Sequence, residues 1–344
     1  MSKVAFVRVQ EVEERVTKAV LKALELIEWR DYLKGKRVFV KVNLISSEFV
    51  PGQCTSPLIL DEVLRVLSQE GYDITVGDAD LAAAKQCDKA SKVWGHRMLA
   101  EKYGAKFQNL SNDETVEMDL GGKVLKNLEI PKSIAKCDSI VSLPVMKTHC
   151  LTTVTCALKQ FWGVVPRLRH QYHVVVDDAI ADINTFLSGR VAFALVDGTI
   201  GMEGNGPRTG IPKVTDVLMA SHDLVALDTA VADYMRLPRP THVDRAAERG
   251  LGTTNYALVG DQFSVNRFLP ANPTQQPIFR WEMYFRNSFL KPLLFDTFAF
   301  EILAYIATKY NTFWYYRTRG KKYARGLSDN YYVTMIQRRY GIAI

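Results

Sequence analysis

Over the first three-quarters of the chain, apolar residues gather in short continuous runs separated by amphipathic stretches. Val4–Val9, Arg37–Val42, Asp73–Val76, Phe107–Leu110, Val124–Ile130, Ser139–Leu143, Val191–Val196 and Val214–Ala220 have the length and the β-branched or aromatic content of strands. Between them, apolar positions recur at helical spacing. Glu11–Glu28 repeats Val16, Val20, Leu21, Leu24 and Ile27. Ser56-Pro57 opens a helix that runs to Gln69 and stops at Gly71. Trp94–Tyr103, Thr152–Gly163, Asp178–Leu187 and Asp223–Tyr234 complete the helical series. Continuous strands alternating with helices predict an α/β fold, with a mostly parallel sheet and helices on both faces.

The pattern changes near Phe268, where Pro270, Pro273 and Pro277 form a loop. Residues 1–268 read as an α/β core, with two sub-domains dividing near 130–145 as one arrangement, and 269–344 as an α-helical, aromatic and basic extension. Leu293–Tyr305 is apolar almost all round, broken by Asp296 and Glu301. From Ile302 to Ser328 there are six Lys/Arg and no acids, with aromatic rings interleaved. Such a tail would pack on the core with a basic outer face. Alternatively, residues 289–325 would lie on a membrane surface, cap an apolar pocket or join two subunits of a homo-oligomer.

The formal charge of +7 favours an anionic partner. Basic residues outside the tail lie at strand ends rather than along one face, which argues against nucleic acid. Five cysteines (Cys54, Cys87, Cys137, Cys150 and Cys156) form no C-x-x-C pair, so neither an iron–sulfur cluster nor a structural zinc site is expected. The first residues lack a signal-peptide core, and no charge-free run is long enough to span a membrane, so a cytoplasmic setting is expected. No phosphate-binding P-loop and no G-x-G-x-x-G dinucleotide fingerprint occurs.

In parallel sheets ligands bind beyond the carboxyl ends of strands. Three predicted strand ends carry polar residues: Lys41-Val42-Asn43, Pro144 to His149, and Asp197-Gly198. The segment Leu143–His173 supplies Lys147, Lys159, Arg167 and Arg169 together with His149, His170 and His173. Cations at a strand end beside a helix start suit an anion, and imidazoles add proton transfer near neutral pH. The candidates for holding the anion are therefore Lys41, Asn43, Lys147, Thr148, Lys159 and Arg169, with Gly204, Asn205 and Gly206 from a glycine-rich loop. His149 and His173 are the candidate proton carriers, and His170 is expected at the surface. Asp197 and Glu203 would be the opposing acid or base, or the ligands of a Mg²⁺ ion. Asp78 reads as a helix N-cap. Asp228, inside an apolar helix, needs a partner such as Lys147 or Lys41. Cys150, beside His149, is a weaker candidate nucleophile.

The strings KVNLIS at Lys41–Ser46, LPVMKTH at Leu143–His149, TCALKQFWGVVP at Thr155–Pro166, DGTIGMEGNGPRTG at Asp197–Gly210 and SHDLVALD at Ser221–Asp228 resemble the family catalogued as domain of unknown function 362. The resemblance spans about Lys41–Tyr234 and implies a shared α/β fold with a pocket built from these strings. It implies no reaction. Many relatives look like fusions to a ferredoxin-type cysteine module. The C-terminal third here has no cysteine, so an electron-transfer role does not carry over on those residues. Gln160 stands where the family usually has Asn.

Together these readings favour an enzyme that binds an anionic carboxylate or phosphate and performs acid–base chemistry of the lyase or isomerase kind. A membrane-surface enzyme acting on a lipid or isoprenoid diphosphate is one alternative. A non-catalytic binding or redox-partner module is the other.

Overall fold

The computed structural model describes residues 1–10, 14–81, 85–165, 167–275, 277–295 and 297–343. The first elements are β1 (Ser2–Arg8), α1 (Arg15–Leu26), β2 (Arg37–Lys41), α2 (Pro57–Gln69) and β3 (Asp73–Asp78). They are followed by α3 (Cys87–Val93), α4 (His96–Lys102), β4 (Lys106–Asn109), β5 (Thr115–Asp119), β6 (Asn127–Pro131), α5 (Lys132–Lys136) and β7 (Ser139–Ser142). Next come β8 (Val145–His149), β9 (Thr153–Thr155), α6 (Ala157–Gln160), α7 (Val176–Leu187), β10 (Val191–Glu203), β11 (Ile211–Ser221), α8 (Leu224–Met235), α9 (Thr241–Glu248) and β12 (Tyr256–Gly260). The tail holds α10 (Pro277–Arg286), α11 (Lys291–Phe295), α12 (Ala299–Asn311), a π-helical segment over Thr312–Gly320, α13 (Lys321–Gly326) and α14 (Tyr331–Tyr340).

Ten strands form one sheet, in the order β12-β1-β11-β10-β7-β2-β3-β4, with β8 added to β10 and β9 to β8. Six of its pairings are parallel; β1 with β11, β10 with β11 and β8 with β9 are antiparallel. The fold is thus α/β with a mostly parallel sheet, as expected. Strand residues alternate between two cores. Val38, Val40, Phe193 and Leu195 join one core, packed against α1 to α4. Phe39, Ala194 and Val196 join the other, packed against α5 to α9. Burial on both faces is the reason these strands read as continuous apolar runs.

Local chemistry sets the helix starts. Ser56 caps α2, its side chain accepting from the Leu58 N–H at 3.3 Å, with Pro57 in the first turn. Asp223 caps α8 by accepting from Ala226 N at 2.9 Å. Asp228 finds backbone partners rather than Lys147 or Lys41. Its oxygens accept from Ala157 N at 2.7 Å and Leu158 N at 3.0 Å, which anchors the start of α6 from the facing helix.

Several expected boundaries differ. The helix expected over Thr152–Gly163 is strand β9, then one turn of α6 and a 3-10 turn. The β-branched run Thr152-Thr153-Val154-Thr155 pairs with β8 instead of coiling. The strand expected to end at Asp197-Gly198 continues to Glu203, because its glycines permit close strand approach rather than a turn. A Cβ on Gly201 would sit 2.9 Å from the Met146 carbonyl oxygen. Trp94–Tyr103 is interrupted at Gly95, whose φ is +70°. β5 pairs with β6, which overlaps the strand expected over Val124–Ile130, in a separate two-stranded ribbon. The last helix of the tail returns to the core: Tyr340 donates to Asp61 of α2 at 2.8 Å, and Tyr332, Val333 and Ile336 share the core of α1 and α2.

Asp228→Ala leaves two buried N–H groups without an acceptor. It should destabilise the protein by about 3 kcal/mol in urea denaturation, at the upper end for such a loss. A change below about 0.5 kcal/mol would show that α6 does not need the cap.

Candidate functional site

The carboxyl ends of β2, β3 and β8 converge beside α6. β2 ends on Lys41 and leads into Asn43; β3 ends on Asp78; the β8–β9 hairpin presents Lys147 and His149. The turn of α6 brings Lys159, and the 3-10 stretch after it brings Arg169 and His173. With Pro207 and Arg208 they enclose a cavity of about 260 Å³. Among the described residues its wall holds five cations (Lys41, Lys147, Lys159, Arg169 and Arg208) and one carboxylate, Asp78.

Each cation is held differently. Lys41 Nζ donates to Asp78 Oδ1 at 2.5 Å and to the Val42 carbonyl at 3.0 Å. Asp78 also accepts from Leu44 N at 2.6 Å and Ala79 N at 2.8 Å, so it is an ion-pair partner that shapes the loop rather than a helix cap. Lys147 Nζ donates to Asn43 Oδ1 and, at 2.6 Å, to the Gln53 carbonyl. Burial pushes this ammonium down to about 8, against the attraction of Asp78 and Asp197. Lys159 Nζ donates to Thr152 Oγ1 at 3.1 Å, and burial pushes it down to about 7, with Lys147 adding to the effect. Arg169 donates to the carbonyls of Val165, at 3.3 Å, and Asp80.

The two histidines have opposite roles at their ring nitrogens. His149 Nδ1 faces the backbone N–H groups of Leu151 at 3.0 Å and Thr152 at 3.4 Å, so it accepts and the ring proton belongs on Nε2. Burial, then the charges of Lys159 and its other neighbours, holds this ring well below the usual imidazole range, so it is neutral. His173 Nδ1 lies 2.9 Å from Glu282 Oε1 on α10. A carboxylate only accepts, which puts a proton on Nδ1; in the neutral ring Nε2 is then the acceptor. Burial would raise the Glu282 carboxyl, but the hydrogen bond from His173 and the Arg286 guanidinium beside it hold it below the usual carboxylate range. His149 therefore offers a proton and His173 can take one.

Of the residues singled out from sequence, Lys41, Asn43, Lys147, His149, Lys159, Arg169 and His173 line the cavity. The rest do not. Thr148 Oγ1 donates to the Gly204 carbonyl at 2.7 Å, and Gly206 packs so closely on Thr148 that a Cβ would lie 2.3 Å from its carbonyl oxygen. Gly204 N donates to Leu269 O at 2.8 Å, and Asn205 Oδ1 accepts from Asn272 N at 2.8 Å. These residues shape the loop that delivers Pro207 and Arg208. Asp197 accepts from Ser56 N at 2.8 Å and Thr199 Oγ1 at 2.6 Å, and Glu203 pairs with Lys213 at 3.1 Å. Asp197 and Glu203 are separated by six residues of extended strand, roughly 20 Å, so they cannot share a Mg²⁺ ion. Burial pushes the Cys150 thiol up to about 11, which removes it as a ready nucleophile. The side chains of Arg167 and His170 lie outside the described residues.

Glu282 and Arg208 were missed. Glu282 lies 109 residues beyond His173, and no spacing rule links them. Arg208 stood within a quoted motif, but its neighbouring glycines drew the reading.

Fold and cavity define an α/β protein with a basic cleft at its strand ends. The chain belongs to the family described as "Domain of unknown function (DUF362)", which matches residues 38–233. A thylakoid-associated protein of Synechocystis is 27% identical over 234 residues, covering 63% of this chain and 68% of its own. The apoprotein of lactate racemase from Thermoanaerobacterium thermosaccharolyticum is 13% identical, with a TM-score of 0.41 over 65% of this chain and 54% of that one. A Thermotoga maritima protein is also 13% identical, with a TM-score of 0.38 over 70% and 58%. The chain thus spans little more than half the length of these two solved structures.

Lys159→Met tests the electrostatics. Its folded-state value lies below that of an unfolded lysine, so between about pH 7 and the ordinary lysine range the unfolded chain binds more protons and stability rises with pH. The variant should be more stable at pH 7 by on the order of 2 kcal/mol, and the gain should shrink by pH 10. Urea denaturation at both pH values measures this; a variant less stable at pH 7 would contradict it.

Proposed function

We propose that the cavity binds a small organic anion, a carboxylate or phosphate ester, and that His173 and His149 act on it as an acid–base pair of the isomerase or lyase kind. The observation that carries this reading is the wall of five cations facing one carboxylate, with two lysines desolvated to near-neutral values. Structural cations are usually matched by acids; an unmatched buried set is stabilised when an anion arrives. A volume of about 260 Å³ suits a compact metabolite, since drug-sized ligands occupy roughly 300–1,000 Å³.

In this reading Lys147, Lys159 and Arg208 hold the anionic group. Lys41 is committed to Asp78 and contributes its field. His173, oriented by Glu282, takes a proton from the substrate at Nε2, as in carboxylate–histidine pairs elsewhere. His149 Nε2–H stabilises the oxygen that gains charge, and can hand over its proton. Proton removal at one atom and delivery at another is an isomerisation; expulsion of a leaving group instead is an elimination. Asp197 and Glu203 have no part, because neither lines the cavity.

Calorimetry with inorganic phosphate and a panel of two- to six-carbon hydroxy- and keto-carboxylates tests binding. At pH 8 the two lysines are partly neutral, so binding should be accompanied by proton uptake, seen as a dependence of the heat on the ionisation enthalpy of the buffer. For any carboxylate of the panel that binds, solvent deuterium should enter next to the carboxylate. Glu282→Gln should slow that exchange by about 10²-fold or more while changing affinity little. Failure of every anion to bind in the millimolar range would end this reading.

A further inference from the structure

Beyond the cavity, one surface is built against the usual rule for water-facing helices. Of the nineteen exposed large apolar side chains among the described residues, eleven fall between Trp281 and Phe313. Single exposed apolar residues need no explanation, but such a concentration does. Phe289 is 90% exposed and Phe298 79%. On α12, Ile302, Leu303, Tyr305, Ile306 and Tyr310 are exposed while Ala304 is buried. At 100° per residue these five, with Lys309, lie within an arc of roughly 160°, and Ala304 lies opposite. The stripe is therefore the outward face of a helix whose inward face is already packed.

We propose that this face, from α10 through α12, docks on a lipid bilayer surface that carries anionic headgroups. Charge selects this occupant over a second copy of the chain. Residues 289–325 hold seven Lys/Arg against two acids, and Arg317, Arg319, Lys321 and Lys322 are exposed just beyond the stripe. Two such faces packed together would oppose like charges, whereas an anionic surface neutralises them. Trp281, Tyr284, Tyr305 and Tyr310 are rings with one apolar body and one polar edge, the type that settles at headgroup depth. Among the described residues no helix is long and apolar enough to cross a membrane, so the contact lies along the surface. α10 also carries Glu282, the carboxylate that holds His173, so the docked face adjoins the cavity wall. The inference does not depend on what the cavity binds.

Co-sedimentation of the full chain with vesicles tests it, using phosphatidylcholine alone and phosphatidylcholine mixed with phosphatidylglycerol. Binding to the mixed vesicles is expected, and it should weaken as salt rises. The combined variant Phe289→Ser, Phe298→Ser, Ile306→Ser should lose at least about tenfold in vesicle affinity. Arg317→Glu with Lys321→Glu should remove the preference for the anionic lipid with thermal melting unchanged. Absence of binding to either vesicle overturns the proposal, as does equal binding to both. So does a concentration-dependent dimer of the native chain, in sedimentation velocity, that the triple variant converts to monomer.

Discussion

Burial of the Lys147 ammonium is the constraint around which the cleft is organised. A cation out of water must be matched by acceptors or its charge is lost. Here Asn43 and the Gln53 carbonyl supply them, and both belong to the loop between β2 and α2. The same loop is tied to the sheet by Thr55, which accepts from Asn43 N and donates to the Leu143 carbonyl, and by Asp197, which accepts from Ser56 N. Lys41 and Asp78 join the ends of β2 and β3 alongside. The loop that floors the cavity is thus held by polar groups from five neighbouring strands, β2, β3, β7, β8 and β10. Apolar packing would have held it more cheaply, at the loss of a field that attracts anions.

The two histidines proposed to transfer protons are supported from separate parts of the chain. The tautomer of His149 is set by a turn two and three residues onward, within one hairpin. That of His173 is set by a carboxylate on a tail helix. A rigid sheet edge supplies the donor and a peripheral helix supplies the support for the acceptor. The tail therefore takes part in building the cavity wall, and changes in how α10 sits would reach His173 through one hydrogen bond.

Much of this was legible in sequence. Strands buried on both faces announce themselves as apolar runs, and Ser56-Pro57 and Asp223 mark helix starts by local chemistry alone. Lys41, Asn43, Lys147, His149, Lys159, Arg169 and His173 were found because strand ends in parallel sheets converge. Asp197 and Glu203 lie away from the cavity wall, because the glycines around them, which suggest a turn, serve strand-to-strand approach in β10. The hairpin β8–β9 was hidden because Thr152–Gly163 also has helical spacing, and pairing with a distant strand overrode it. Glu282 had no sequence signal, since a hydrogen bond across 109 residues depends on how the tail folds back.

The position of β1 carries one more consequence. Formed from the first residues of the chain, it lies inside the sheet between β11 and β12, paired with Val217–Ala220 on one side and Tyr256–Gly260 on the other. During synthesis this strand emerges long before either neighbour exists. Its hydrogen-bonding edges and the apolar residues Val4 to Val7 remain unsatisfied until about 250 further residues have followed, and contacts so distant in sequence form slowly. In a partly made chain β1 therefore has neither of its sheet partners, and its two pairings are among the longest-range contacts of the fold.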